Sequence, residues 1–360
     1  MSIKISILGA GPGGYVAAVR AAQLGAEVTL IEKDTLGGTC LNRGCIPSKI
    51  MQTTAQMLHQ FSRCDEFGIS LEGSPVVDMA KLMARKEKIV KTQVRGIEGL
   101  LKHNGVTHIK GQGTIKRAGV LAVLSAEGDT REIEWEKLIL SVGSEPLEIP
   151  AFPFDGEKVI SSTHVLSLET IPESMVIVGG GVIGCEFACI LSSLGTSVTV
   201  VEALDRLLPL PSVDAGCSKV LQREMKKKKI KFLLDKTVTA VDTTGSKAEV
   251  TIGPSPFATD VKEKDLQPLQ VEAEKVLVCI GRKSNANGIG LEALGLELDN
   301  KSWIIADDRL RSTVENVYAI GDALGPAKVM LAHVASTEGI IAAENAMGGN
   351  RKMNYAAVPG

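Results

Sequence analysis

One pattern occurs twice in this chain and leaves little freedom in the fold. Residues 3–32 read IKISILGAGPGGYVAAVRAAQLGAEVTLIE, and residues 173–202 read ESMVIVGGGVIGCEFACILSSLGTSVTVVE. Gly9, Gly11, Gly14, Gly25 and Glu32 recur 170 positions later, without a gap, as Gly179, Gly181, Gly184, Gly195 and Glu202. Each copy predicts a short apolar strand, a G-x-G-x-x-G turn, a helix closed by a glycine, and a second strand ending on an acid. The first glycine permits the tight strand-to-helix turn. The second lets a pyrophosphate approach the backbone, and the third lets the helix pack on the sheet. The free N–H groups at the helix start suit phosphates. Glu32 and Glu202 stand where a carboxylate accepts hydrogen bonds from a ribose hydroxyl pair. The duplication therefore predicts two dinucleotide sites. A carboxylate at Glu202 repels a 2′-phosphate and favours NAD over NADP, with Arg206 nearby as the opposing signal.

The composition is compatible with this. A chain of 360 residues suffices for two domains. With 40 Lys and Arg against 42 Asp and Glu, the net charge of −2 lacks the basic excess of a nucleic-acid face. No apolar run reaches the ~18 residues of a membrane span. No basic segment followed by an apolar one precedes the strand at Ile3, so no signal peptide is expected. Seven cysteines do not make a secreted disulfide scaffold. These features predict a cytoplasmic α/β protein.

Directly behind the first copy, residues 37–49 read GGTCLNRGCIPSK. Cys40 and Cys45 enclose a loop short enough to close as a disulfide, and in a reducing compartment such a pair points to catalysis rather than structure. Pro47 suits a first helical turn, and residues 48–61 read as that helix. Cys45 then lies near a helix N-terminus with Lys49 one turn on, and both features lower a thiol pKa.

With these motifs the sequence resembles the pyridine nucleotide–disulfide oxidoreductase family, over essentially its whole length. SVGSEP at 141–146 is similar to the family's A-T-G-S-x-P turn, with Ser141 and Val142 as departures. CIGRKSN at 279–285 matches its G-R-x-x-N turn. TVENVYAIGDA at 313–323 resembles its second flavin motif, and MLAH at 330–333 follows as in the lipoamide-oxidising members. The resemblance implies an α/β fold of two Rossmann-like dinucleotide-binding domains, the NAD domain inserted into the FAD domain. Residues 1–149 and 281–350 are then the FAD domain, 150–280 the NAD domain, and 351–360 the start of a dimerisation domain. FAD is expected at Gly9, Gly11, Gly14, Glu32, Gly38, Thr39, Lys49, Gly113, Gly143, Ser144, Asp322, Met330, Leu331, Ala332 and His333. NAD is expected at Gly179, Gly181, Gly184, Glu186, Glu202 and Gly281.

By the same resemblance Cys40 exchanges with a substrate dithiol, Cys45 faces the flavin as thiolate, and Lys49 pairs with Glu186 beside it. The implied reaction is reoxidation of protein-bound dihydrolipoamide. The implied partner is the lipoyl domain of a 2-oxoacid dehydrogenase or glycine cleavage complex, with the enzyme a homodimer. Sister reductases for glutathione-like disulfides, coenzyme A disulfide or mercuric ion are the alternatives, as is a non-catalytic flavoprotein. The family's dimerisation domain also supplies a His–Glu base pair, expected beyond residue 360. His333 and Glu338 share its five-residue spacing, but on a helix they lie about 140° apart and are not expected to pair.

Other features read as structural. Cys64, Cys185, Cys189, Cys217 and Cys279 are expected as buried small hydrophobes, with no metal site. Lys226 to Lys229 predict a solvated helix end, residues 76–104 a long helix, and residues 253–270 a hairpin excursion.

Overall fold

A computed structural model describes residues 2–259 and 266–359. Its helices are α1 (Pro12–Gln23), α2 (Gly38–Arg43), α3 (Cys45–Phe61), α4 (Met79–His103), α5 (Val182–Leu194), α6 (Ala215–Lys227) and α7 (Ala332–Ala346). The chain divides into two compact units: 1–46, 88–145 and 282–360 in the first, 47–87 and 146–281 in the second. Residues 47–87, placed by sequence within the first domain, group with the second unit. Lys49 is ion-paired there with Glu186, and Lys86 Nζ donates to the Leu166 carbonyl at 2.8 Å.

In the first unit five parallel strands run in the order Val317–Ala319, Lys137–Leu140, Lys4–Leu8, Glu27–Glu32, Thr107–Lys110. Runs such as ISIL and VTLI are apolar on three residues of four because both faces of a parallel sheet are covered. Ile7, Leu30, Leu138, Ile139, Leu140 and Ala319 are fully buried, and α1 and α7 pack on the same core. The helices approach closely because small residues meet. A Cβ on Gly339 would collide with the Gly13 carbonyl.

In the second unit the parallel order is Lys231–Leu233, Ser197–Val201, Ser174–Val178, Lys275–Val278, Val159–Ser161. Val176, Val178, Val201, Val276 and Val278 are buried in its core. Around the nucleotide strand the two orders are the same, both Rossmann-like. They differ in the outer strand, which the first unit takes from far downstream and the second from upstream. Each unit also carries an antiparallel three-stranded sheet, Gln112–Arg117, Val120–Leu124 and Thr130–Glu134 in one, Lys236–Asp242, Ala248–Pro254 and Leu269–Ala273 in the other.

Helix α3 starts three residues before its expected start, and α4 fills the expected 76–104 segment. Strands Ala248–Pro254 and Leu269–Ala273 flank the expected excursion, of which residues 260–265 lie outside the described residues. Lys226 and Lys227 close α6, where cations suit the negative end of the helix dipole.

Candidate active site

In the first unit, strand Lys4–Leu8 ends at Gly9, whose φ of +95° turns the chain into α1. A Cβ on Gly9 would strike the Ser141 carbonyl, and one on Gly14 the Gly9 carbonyl. Gly11 is different: a Cβ there would meet nothing nearer than Gly38 Cα at 3.9 Å. The protein leaves space where a pyrophosphate needs it. Glu32, 9% exposed, does more than wait for a ribose. Its Oε2 accepts the Ala10 N–H at 2.7 Å and its Oε1 the Asp34 N–H at 2.8 Å, clamping the turn to the strand end. Burial pushes its carboxyl above the ordinary range, and the Ala10 N–H pulls it back in part.

The redox pair lies against this turn. The Gly37 N–H donates to the Ala10 carbonyl at 2.8 Å, and Gly38, at φ +57°, packs on Gly11. Thr39 and Cys40 follow in α2, and Cys40 is joined to Cys45 by a disulfide with a Cα–Cα distance of 4.7 Å. Cys45 is the first residue of the 17-residue α3, so its thiolate would lie at the positive end of a helix dipole. Gly113 makes a packing contribution: a Cβ there would collide with Leu8 Cδ2.

Three distant motifs converge elsewhere in this unit. Ser144 donates its hydroxyl proton to Asp322 Oδ2 at 2.6 Å and accepts from Arg282 Nε at 2.6 Å, while Arg282 Nη2 donates to the Ser144 carbonyl at 2.7 Å. Asn285 donates to the Val142 carbonyl at 3.0 Å, and its N–H to that of Gly143 at 3.2 Å. Arg282 and Asn285 therefore hold the 141–146 turn and, through Ser144, the Asp322 carboxylate. The G-R-x-x-N motif contains both, although the family resemblance implies a cofactor contact for its glycine alone. Burial pulls the Arg282 guanidinium below its ordinary value. Met330 and Leu331 lead into α7, which starts at Ala332 and His333 with no side-chain cap from Leu331. His333 and Glu338 are not brought together: His333 Nε2 contacts the Pro359 carbonyl at 2.9 Å, and Glu338 accepts from Gly321 and Tyr355.

The second unit repeats the first turn. Gly179 has φ +103°, a Cβ on Gly184 would collide with the Gly179 carbonyl, and around Gly181 nothing lies within 4 Å. Glu202, 7% exposed, accepts the Gly180 N–H at 2.5 Å and the Leu204 N–H at 2.9 Å. Gly281, at φ +132°, accepts the Leu147 N–H at 3.0 Å. Lys49 Nζ donates to Glu186 Oε1. Arg206, the residue that could favour a 2′-phosphate, is committed to the carbonyls of Val213 and Leu210 at 3.0 and 3.2 Å and to the Ser218 hydroxyl at 3.2 Å. The open second glycines beside acid-ended strands fit two dinucleotides, and an Arg206 spent on main chain fits NAD in the second unit. FAD and NAD are the cofactors.

The cysteine expectation needs correction. Cys185 is buried, but Cys64, Cys189 and Cys279 are only half-buried and Cys217 is exposed. Cys217 sits on the outward side of α6, whose buried residues are Ser218 and Met225. Among the described residues no group of three or more His, Cys, Asp or Glu side chains could hold a metal ion, and no helix is long and apolar enough to cross a membrane.

Comparison with known proteins agrees with this geometry. A family model described as pyridine nucleotide-disulphide oxidoreductase matches residues 3–339. The dihydrolipoyl dehydrogenase of Chlamydia trachomatis is 40% identical over 98% of this chain and 72% of its own length. That of Bacillus subtilis is 39% identical over 99% of this chain and 74% of its own length. The crystal structure of LpdA from Mycobacterium tuberculosis is similar with a TM-score of 0.86 at 28% identity, over 98% of this chain and 74% of LpdA. With two nucleotide turns, a disulfide behind the first and these relatives, the chain belongs to the pyridine nucleotide-disulphide oxidoreductases.

Proposed function

We propose that this enzyme oxidises protein-bound dihydrolipoamide with NAD, as a homodimer in the cytoplasm that serves the lipoyl domain of a 2-oxoacid dehydrogenase or glycine cleavage complex. The observation that carries the reading is the Cys40–Cys45 disulfide, packed behind the Gly9–Gly14 turn and leading into α3. The dihydrolipoyl dehydrogenases among its relatives support the choice of substrate.

One substrate thiolate attacks Cys40 Sγ, forming a mixed disulfide and breaking the bond to Cys45. Cys45 leaves as a thiolate, stabilised by the N-terminus of α3. The second substrate thiol then attacks the mixed disulfide, releasing the cyclic disulfide and the Cys40 thiolate. Bound FAD would supply the acceptor for the electron pair of the two cysteines, with NAD the substrate that would leave with it as hydride. The protein disulfide re-forms, two protons have left the substrate dithiol, and one of them reaches solvent. Gly9, Gly11, Gly14, Gly38, Thr39, Gly113, Gly143 and Asp322 line the proposed flavin site, together with Met330 to His333. Gly179, Gly181, Gly184, Glu202 and Gly281 line the proposed NAD site. Lys49, held by Glu186, supplies a fixed positive charge.

The test is an anaerobic NADH titration of the purified flavoprotein, followed by assay with dihydrolipoamide. A long-wavelength band should grow in at two electrons, vanish in Cys45→Ser, and accompany NADH formation from dihydrolipoamide. Flavin bleaching without the band would disconnect the disulfide and defeat the proposal. Turnover with glutathione disulfide in place of lipoamide would move it to a sister reductase.

A further inference from the structure

Glu338 is a buried carboxylate without a part in the thiol chemistry. Only 1% exposed, it accepts the Gly321 N–H on Oε2 at 2.6 Å and the Tyr355 hydroxyl on Oε1 at 2.7 Å. A carboxylate buried this deeply persists only where donors meet it. Burial pushes Glu338 above the ordinary carboxylate range, with the Tyr355 hydroxyl and Gly321 N–H pulling it back. Burial and the neighbouring carboxylate push the Tyr355 phenol up, which keeps it a donor. Lys328 Nζ lies 5.0 Å from the centre of the Tyr355 ring.

The partner of this acid matters more than its burial. Gly321 sits at φ +67° immediately before Asp322, whose carboxylate is held by Ser144. A glycine moves readily between left- and right-handed conformations, so an outside contact must hold its peptide in one. Glu338 supplies that contact to the backbone, as Ser144 and Arg282 do to the side chain. We propose that Glu338, braced by Tyr355, is a positioning residue that fixes the Gly321–Asp322 peptide for flavin binding. The proposal rests on the reading of the first unit as the FAD site.

The experiment measures FAD dissociation constants of deflavinated wild type, Glu338→Ala, Glu338→Gln and Tyr355→Phe. NADH affinity, the visible flavin spectrum and melting of the apoprotein are recorded alongside. Glu338→Ala should weaken FAD binding about tenfold or more and shift the flavin spectrum. Glu338→Gln should recover most of the affinity, because its amide oxygen still accepts the Gly321 N–H and its amide nitrogen can donate to Tyr355. Tyr355→Phe should weaken binding about threefold, with NADH affinity unchanged in every variant. Wild-type affinity in Glu338→Ala would overturn the proposal. So would equal losses in the Ala and Gln variants that track apoprotein melting and NADH affinity, since those mark a merely structural acid. Should Glu338→Ala fail to fold, a Tyr355→Phe variant with wild-type affinity overturns it as well. A wild-type chain that does not bind FAD would remove the flavin reading itself.

Discussion

Gly11 and Gly181 are the two fingerprint positions at which the protein's own packing demands no glycine. An added Cβ on Gly181 meets open space and one on Gly11 only an ordinary contact with Gly38 Cα at 3.9 Å, whereas those on Gly14 and Gly184 would drive into the preceding turn's carbonyl. The same residue type thus serves the ligand at one position and the fold at another. Gly11→Ala should leave the apoprotein's melting temperature within about 2 °C while weakening FAD binding, and Gly181→Ala should do the same for NADH. Gly14→Ala should instead cost several kcal/mol, on the order of an overpacked core, as denaturant unfolding would show. The glycines were legible in the sequence because their spacing is local. The clamping bonds of Glu32 and Glu202 were not, since nothing in a strand-ending acid tells that its oxygens return 22 residues to the turn. Arg282 and Asn285 were half legible. Their motif was visible, but its partners Val142 and Ser144 lie about 140 residues away and meet it only after folding.

Helix α7 shows how one element can hold several loops in place. Its Gly339 lets α1 approach, and its Glu338 and Glu344 reach in different directions. Gly339→Ala should destabilise the protein by about 1–3 kcal/mol through the clash with Gly13, read as a lower urea midpoint at unchanged slope. Glu344 accepts from Arg20 of α1 at 2.6 Å and from Arg351 at 2.7 Å, and the bond from Arg351, then that from Arg20, hold its carboxyl below the ordinary range. An acid depressed in the folded state adds stability above its unfolded value of 4.5, lost as pH falls through the folded value. These arginines are partly exposed, so Glu344→Gln should cost only about 0.5–1 kcal/mol at pH 7 and progressively less below pH ~4.5. Urea unfolding at both pH values checks it; a constant difference would mean that the charge is irrelevant. The helix was legible as the segment after a flavin motif. Its packing was not, because an apolar stripe of alanines and glycines carries no strong periodic signal.

Across the molecule, the duplication reaches further than the matched 30 residues. Both units share the order of four of their five parallel strands and carry an antiparallel three-stranded sheet, although these later parts have no visible sequence likeness. Strands tolerate many apolar sequences as long as the faces are right, so the likeness of the outer strands was lost while that of the glycine turns persisted. The return at 281 was legible from the G-R-x-x-N motif, within one residue of the unit boundary, whereas the other break, expected at 150, lies at 146. The grouping of residues 47–87 with the second unit was not, because it depends on tertiary pairs such as Lys49 with Glu186.

The outer strand Val317–Ala319 has a consequence for synthesis on the ribosome. It pairs with Lys137–Leu140, whose Ile139 and Leu140 are fully buried in the finished sheet. The strands of the second unit's parallel sheet all lie between residues 159 and 278, so that sheet can close first. At about 5–20 residues per second, the apolar edge at Lys137–Leu140 waits about 10–35 s for its partner. An open apolar edge is a template for pairing with other chains, so a nascent chain is vulnerable to aggregation throughout that interval, the last part of which follows closure of the second unit's sheet.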